Sequence, residues 1–151
     1  MKNLSIIFSL VVLFFVASCK KDDTTPARPK KDIIASKTWV VGEAVASGIT
    51  VYTKGGTDVA NLGLAKVFLN FKVDGSITGS DNSGKTIPTS AKWTLSSDET
   101  KLNLVNTGVT GLDGDLIIIQ LTEISIELKG KIVIPQLGTA PSDVNLKLVP
   151  Q

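Results

Sequence analysis

From Ile33 onward, apolar and polar residues alternate with a period of two rather than 3.6. Val67, Leu69, Phe71 and Val73 alternate with Phe68, Asn70 and Lys72. Ala91, Trp93 and Leu95 alternate with Lys92 and Thr94, and Leu102 and Leu104 with Lys101 and Asn103. Trp39, Val41 and Val45 are expected on one inward face, with Glu43 between the valines. Ile117, Ile119 and Leu121 continue that inward pattern. Ile124, Ile126 and Leu128 follow against Ser125, Glu127 and Lys129, then Val144, Leu146 and Leu148 against Asn145 and Lys147. Such alternation places one face of each strand in a core and the other in water.

Turn residues punctuate these runs. Asp74-Gly75 separates two of them and predicts a hairpin. Asp81-Asn82-Ser83-Gly84, Ser96-Ser97-Asp98-Glu99, Asp113-Gly114 and Lys129-Gly130-Lys131 mark further turns. Eight or nine short strands at this spacing predict an all-β domain, a small antiparallel barrel or sandwich. Asp58 to Leu64 reads as a short helical or irregular piece. The sequence carries no internal repeat and no heptad pattern. About 120 residues are enough for one core without disulfides.

The first eighteen residues break the pattern. Lys2 is followed by an almost unbroken apolar run, Ile6 to Ala17, about twelve residues long. A helix needs roughly 20 apolar residues to span a bilayer, so the run is that of a cleaved leader. Val16, Ala17 and Ser18 then precede Cys19. This resembles the lipobox of bacterial lipoproteins, in which small residues fit the signal peptidase and the Cys takes a diacylglycerol thioether. Cys is the only side chain here whose thiolate can accept that lipid. One acyl chain holds only marginally, whereas several give a lasting anchor.

The lipid-bearing Cys19 is followed by Lys20, Lys21, Asp22 and Asp23, which resemble a surface-export tag of some Gram-negative lipoproteins. The expected address is therefore the outer membrane with the domain at the cell surface; the alternative is the periplasm-facing leaflet. Residues 19–32 are too polar and Pro-containing to offset their ordering entropy and read as a tether. Asp23-Thr24-Thr25 in that tether resembles a short O-glycosylation motif. The expected organisation is a signal peptide (1–18), a lipidated Cys with its tether (19–32) and one β-domain (33–151).

Charge and composition narrow the chemistry. The chain has 16 basic and 14 acidic side chains. Lys2 leaves with the leader, so the mature chain has a side-chain charge of +1. A near-neutral domain with scattered lysines gives no reason to expect nucleic acid as a partner. The sequence contains no His and a single Cys. The usual general base, the commonest metal ligand and any internal disulfide are thereby removed. No cofactor is implied. Gly111-Leu112-Asp113-Gly114-Asp115 could offer only two carboxylates to a calcium ion and reads first as a turn. Asp113, Asp115, Glu123 and Glu127 are the acidic candidates for catalysis, but none stands at motif spacing, and an enzyme is not expected.

Four segments together resemble the lipocalin-like domains found behind bacterial lipoprotein signals. They are Lys37 to Val41, Leu69 to Ile77, Ala91 to Ser96 and Ile118 to Leu128. That family opens with a Trp in its first strand, continues with an F-x-x-D-G hairpin and a W-x-L-S strand, and closes on I-x-x-L-T. The resemblance spans most of residues 35–130 and leaves 132–151 unmatched. It implies an up-and-down barrel of about eight strands, sometimes with a cavity. Trp39, Phe71 and Trp93 then become candidates for the barrel core or for a pocket floor.

Two functions fit. An anchored barrel could take a small apolar ligand into its interior, or it could serve as a non-catalytic accessory subunit docked on another envelope protein. A cavity of several hundred Å³ would favour the first reading. A filled interior with an exposed apolar strip would favour the second.

Overall fold

A computed structural model describes residues 28–59, 61–109, 111–134 and 140–151. The leader, the lipobox residues Val16, Ala17 and Ser18, Cys19, the Lys20–Asp23 run, and Thr24 and Thr25 lie outside the described residues.

The alternating runs fold as strands: β1 (Thr38–Ala46), β2 (Ile49–Thr53), β3 (Phe68–Phe71), β4 (Ile77–Ser80), β5 (Lys92–Leu95), β6 (Lys101–Val105), β7 (Gly114–Leu121), β8 (Ile126–Ile132) and β9 (Ser142–Pro150). A short helix, α1 (Lys30–Ile34), precedes them, and a 3-10 turn covers Leu64–Lys66. All named strand pairs are antiparallel.

Nine strands fill eight positions. β3 pairs with the start of β1 at Thr38–Val40, and β2 pairs with its end at Glu43–Ala46. The two therefore lie end to end along one edge of β1, with residues 54–67 inserted between them. From there the chain winds neighbour to neighbour through β4, β5, β6, β7, β8 and β9, and β9 returns to pair along β1. The remaining seam, between β4 and β5, is bridged by Ile87 N donating to Gly79 O (3.0 Å), Ile77 N to Ala91 O (3.2 Å) and Trp93 N to Gly75 O (2.8 Å). The result is an up-and-down, nearly closed eight-position barrel, compatible with a lipocalin-like fold. Residues 142–150, outside the family resemblance, supply the strand that joins β8 to β1.

This winding sorts the connections to two ends. The turns 72–76, 96–100 and 122–125 lie at one end, with α1 and the C-terminus; it is called the closed end below. The turn 47–48, the connection 81–91, the end of β6 with the start of β7, and the end of β8 with the start of β9 lie at the other, the open end.

Most of the alternation points as expected: Val67, Leu69, Phe71, Leu102, Leu104, Ile126, Leu128, Val144, Leu146 and Leu148 are buried. Two strands depart from it. β1 has a bulge between Val41 and Glu43, so the phase slips by one residue. Ala44 and Ala46 then point inward, and Val45 is only half-buried. β7 carries a bulge between Ile118 and Gln120, and its inward residues are Leu116 and, partly, Ile118 and Leu121. Ile117 and Ile119, expected inside, are 49% and 55% exposed. Val73 and Ile124, at the tips of turns, are exposed as well.

The described residues from Asp58 to Gly63 form no helix, and the 3-10 turn begins at Leu64. Contacts with the barrel begin ahead of residue 33, at Arg28 with Glu123 and Lys30 with Glu99 O, and α1 then packs Ile34 fully into the core.

Candidate functional site

The closed end is filled by rings whose polar atoms are satisfied. Trp39, on β1, is fully buried and donates its indole N–H to Ile34 O at 2.8 Å. The last turn of α1 therefore seats directly on the first core aromatic. Trp93, on β5, donates to Lys72 O at 2.9 Å. Its ring meets Phe71 edge to face, with centroids 5.5 Å apart at 72°. Such pairs contribute about 0.5–1.5 kcal/mol beyond the area they bury. Ion pairs fasten α1 over this end: Arg28 Nη1 lies 3.2 Å from Glu123 Oε2, and Lys37 Nζ lies 3.7 Å from the same oxygen. Lys30 Nζ donates to Glu99 O at 2.8 Å, and Lys37 Nζ also donates to Glu123 O.

The open end holds a cavity of about 130 Å³. Mid-barrel residues Val41, Leu69 and Leu148 form its depth, and Ala44, Val51, Val144 and Leu146 its walls. Leu62 and Leu64 from the 54–67 insertion, Val109 and Leu112 from the β6–β7 connection, and Ile132, Val133 and Ile134 beyond β8 surround the mouth. Asn82 is the one polar residue in the lining, and among the described residues no charged side chain and no aromatic ring lines it. Trp39, Phe71 and Trp93 are thus core residues of the closed half, and none of the three lines the cavity.

Local hydrogen bonds hold the mouth in shape. Asp58 accepts from the backbone N–H of Leu62 at 2.8 Å and of Gly63 at 3.2 Å, which curls the insertion back over the barrel. Asn82 Nδ2 donates to Leu62 O at 3.4 Å, and Ser80 Oγ donates to Lys66 O. Gly63 has φ +68°, and a Cβ there would collide with the carbonyl of Asn82, so only glycine lets the insertion approach the β4–β5 connection this closely. Beside it, burial pushes the Tyr52 phenol above its usual pKa, and the Asp58 charge adds to the effect. Thr107, fully buried, donates its N–H at 2.9 Å and its hydroxyl at 2.5 Å to Asp113 Oδ1.

The acidic residues weighed for catalysis are dispersed. Asp113 braces the open-end turn, and Asp115 accepts from Asn103 Nδ2 at 2.7 Å on the outer wall. Glu127 pairs with Lys147 at 3.0 Å on the outside of the barrel, and Glu123 sits at the closed end. The Gly111–Asp115 segment serves as a turn. Among the described residues no group of three or more His, Cys, Asp or Glu is placed to hold a metal ion. Among the same residues no helix is long and apolar enough to cross a membrane.

The sequence did not single out the cavity-lining residues. Leu62 and Leu64 lie in the stretch that reads as a short helical or irregular piece, Leu112 lies in one that reads as a turn, and Val109 falls in none of the alternating runs. Their signal was available: a solvated loop does not need the apolar pairs of Asn61-Leu62-Gly63-Leu64 and Val109 to Leu112. No protein-family model and no curated protein matches this sequence.

Proposed function

We propose that this chain is a cell-envelope lipoprotein, anchored through Cys19, whose lipocalin-like barrel takes a small apolar ligand at its open end. The supporting observation is the cavity: aliphatic on every side except Asn82, open at one end, and free of charged lining among the described residues. Apolar groups enter such a space because leaving water is favourable and no polar partner is forfeited. Its volume of about 130 Å³ limits what can enter. Whole drug-sized ligands occupy roughly 300–1,000 Å³. A void of about 150 Å³ takes a benzene-sized group. The fitting ligand is thus a small uncharged hydrocarbon group or the end of a single chain. The barrel acts by binding, without catalysis.

The test is native mass spectrometry and solvent extraction of the mature chain purified from its own host. An apolar molecule is expected with the wild type and lost with Ala44→Trp, which fills the cavity. Recovery of no ligand from the wild type, or equal recovery from the variant, would refute the reading.

A second reading draws on Ile117 and Ile119, exposed side by side along the outer face of β7. Exposed apolar strips serve docking, and this one suits an accessory subunit of an envelope complex. An assembly retained by the wild type and lost with Ile117→Lys/Ile119→Lys would favour it.

A further inference from the structure

We propose that the closed end is the face the barrel sets against the bilayer, so that the cavity mouth points away from it. The proposal rests on the reading that Cys19 is lipidated. Three observations converge on this end. The chain enters the barrel here, through Arg28 and α1, opposite the cavity. Cys19 lies nine positions before Arg28, at most about 32 Å along a fully extended chain, so the lipid is leashed to this rim and not to the open one. The entry point is also fixed to the barrel rather than free to swing. Arg28 and Lys37 both engage Glu123, Lys30 engages Glu99 O, and the indole of Trp39 holds Ile34 O.

The third observation is what the rim exposes. Val73 tips the β3–β4 turn and is 60% exposed; Ile124 tips the β7–β8 turn and is 72% exposed. In the eight-position winding these turns lie across the barrel end from each other, and Arg28, held to Glu123, brings the chain in beside Ile124. The tether and Ile124 therefore support one side of the rim on a lipid surface, and Val73 the other. Apolar side chains gain by entering the headgroup boundary, as on other surface-lying elements. Charges at this rim are of both signs, Lys30, Lys31 and Lys37 standing against Asp32, Glu99 and Glu123. The contact needs no anionic lipid, and a ligand or partner reaches the mouth from the aqueous side.

The lipidated chain is reconstituted in phosphatidylcholine vesicles. Cys19 is the single Cys of the sequence and is blocked by its thioether, so added thiols can be labelled alone. Val73→Cys and Ile124→Cys report on the closed end. Ile49→Cys, 67% exposed in the native chain, reports on the open end. Each carries a fluorophore, and the vesicles carry lipids with nitroxide headgroups. Quenching is expected to be several-fold stronger at 73 and 124 than at 49. Equal quenching at all three, or the strongest at 49, overturns the proposal. Flotation with the vesicles and the acyl mass of each sample separate the two failures. A chain that floats but quenches evenly sinks this proposal alone. A chain without acyl mass that does not float sinks the anchor reading and this proposal together.

Discussion

Below its middle the barrel is packed with rings; above it, the interior is lined by methyl groups around a space. Both halves are built from the same alternating strands, and the difference lies in the side chains those strands deliver. β1 shows it within nine residues. At the closed end it supplies Trp39, whose ring fills the section and whose N–H is bound. Past the bulge at Gly42 it supplies Ala44 and Ala46. Two alanines cannot fill a barrel interior, and Val51 and Val144 on the neighbouring strands β2 and β9 are too short to make up the deficit. Close packing is the norm in protein interiors, so a persistent void marks a place where stability was not the only demand. The closed half is filled, and the open half keeps a cavity.

The largest effect is expected from Trp39→Ala. It removes a fully buried ring and the partner of Ile34 O, and should cost about 3–5 kcal/mol in denaturant unfolding. A variant that unfolds with the wild type would show that the closed half is not the stabilising one.

Adding volume sharpens the contrast. Ile126→Phe overfills the closed half and should cost about 1–3 kcal/mol. Ala44→Leu grows into the cavity and should change stability by less than about 1 kcal/mol while weakening ligand binding. Equal costs for the two would erase the distinction between the halves.

A smaller effect is expected at the fastening of α1. Glu123→Gln removes a charge shared by Arg28 and Lys37, all three partly exposed. Exposed pairs contribute about 0–1 kcal/mol, and the loss should shrink further in high salt. Thermal melts at low and high salt check it.

The smallest effect concerns pH. Hydrogen bonds from Ser96 Oγ and from the Thr100 N–H and hydroxyl hold the Asp98 carboxyl at about 2, against an ordinary value of 3.8. Asp98 thus favours folding when ionised. Its contribution is complete above about pH 4 and fades as pH falls toward 2. Asp98→Asn should flatten the fall in melting temperature over that window, and an unchanged slope would contradict the assignment.

How much of this was legible depended on whether one strand obeyed one period. β3, β5, β6, β8 and β9 did, and their inward residues follow from alternation alone. β7 could not be read that way. Leu116 to Ile119 are four aliphatics in a row, so either alternate set fits, and the bulge at Ile118/Gln120 settles the face only in three dimensions. β1 misleads differently: Gly42 breaks the phase, and Val45 turns partly outward. Gly42 lies in that bulge against Val149, where a Cβ would press on its side chain. α1 was masked by its surroundings, because a five-residue helix of Lys, Asp and Ile after Pro29 looks like the end of a polar tether. The cavity was least visible of all. It depends on what faces Ala44 across the barrel, and that is set by register between strands far apart in sequence.

The central claim is that the open half holds an apolar space and the closed half does not. Benzene titrated into the protein and followed by the methyl NMR signals tests it most directly. Saturable shifts are expected at Val51, Val144 and Leu146, with Leu102 and Ile126 unmoved. Shifts at neither set, or equal shifts at both, would contradict it.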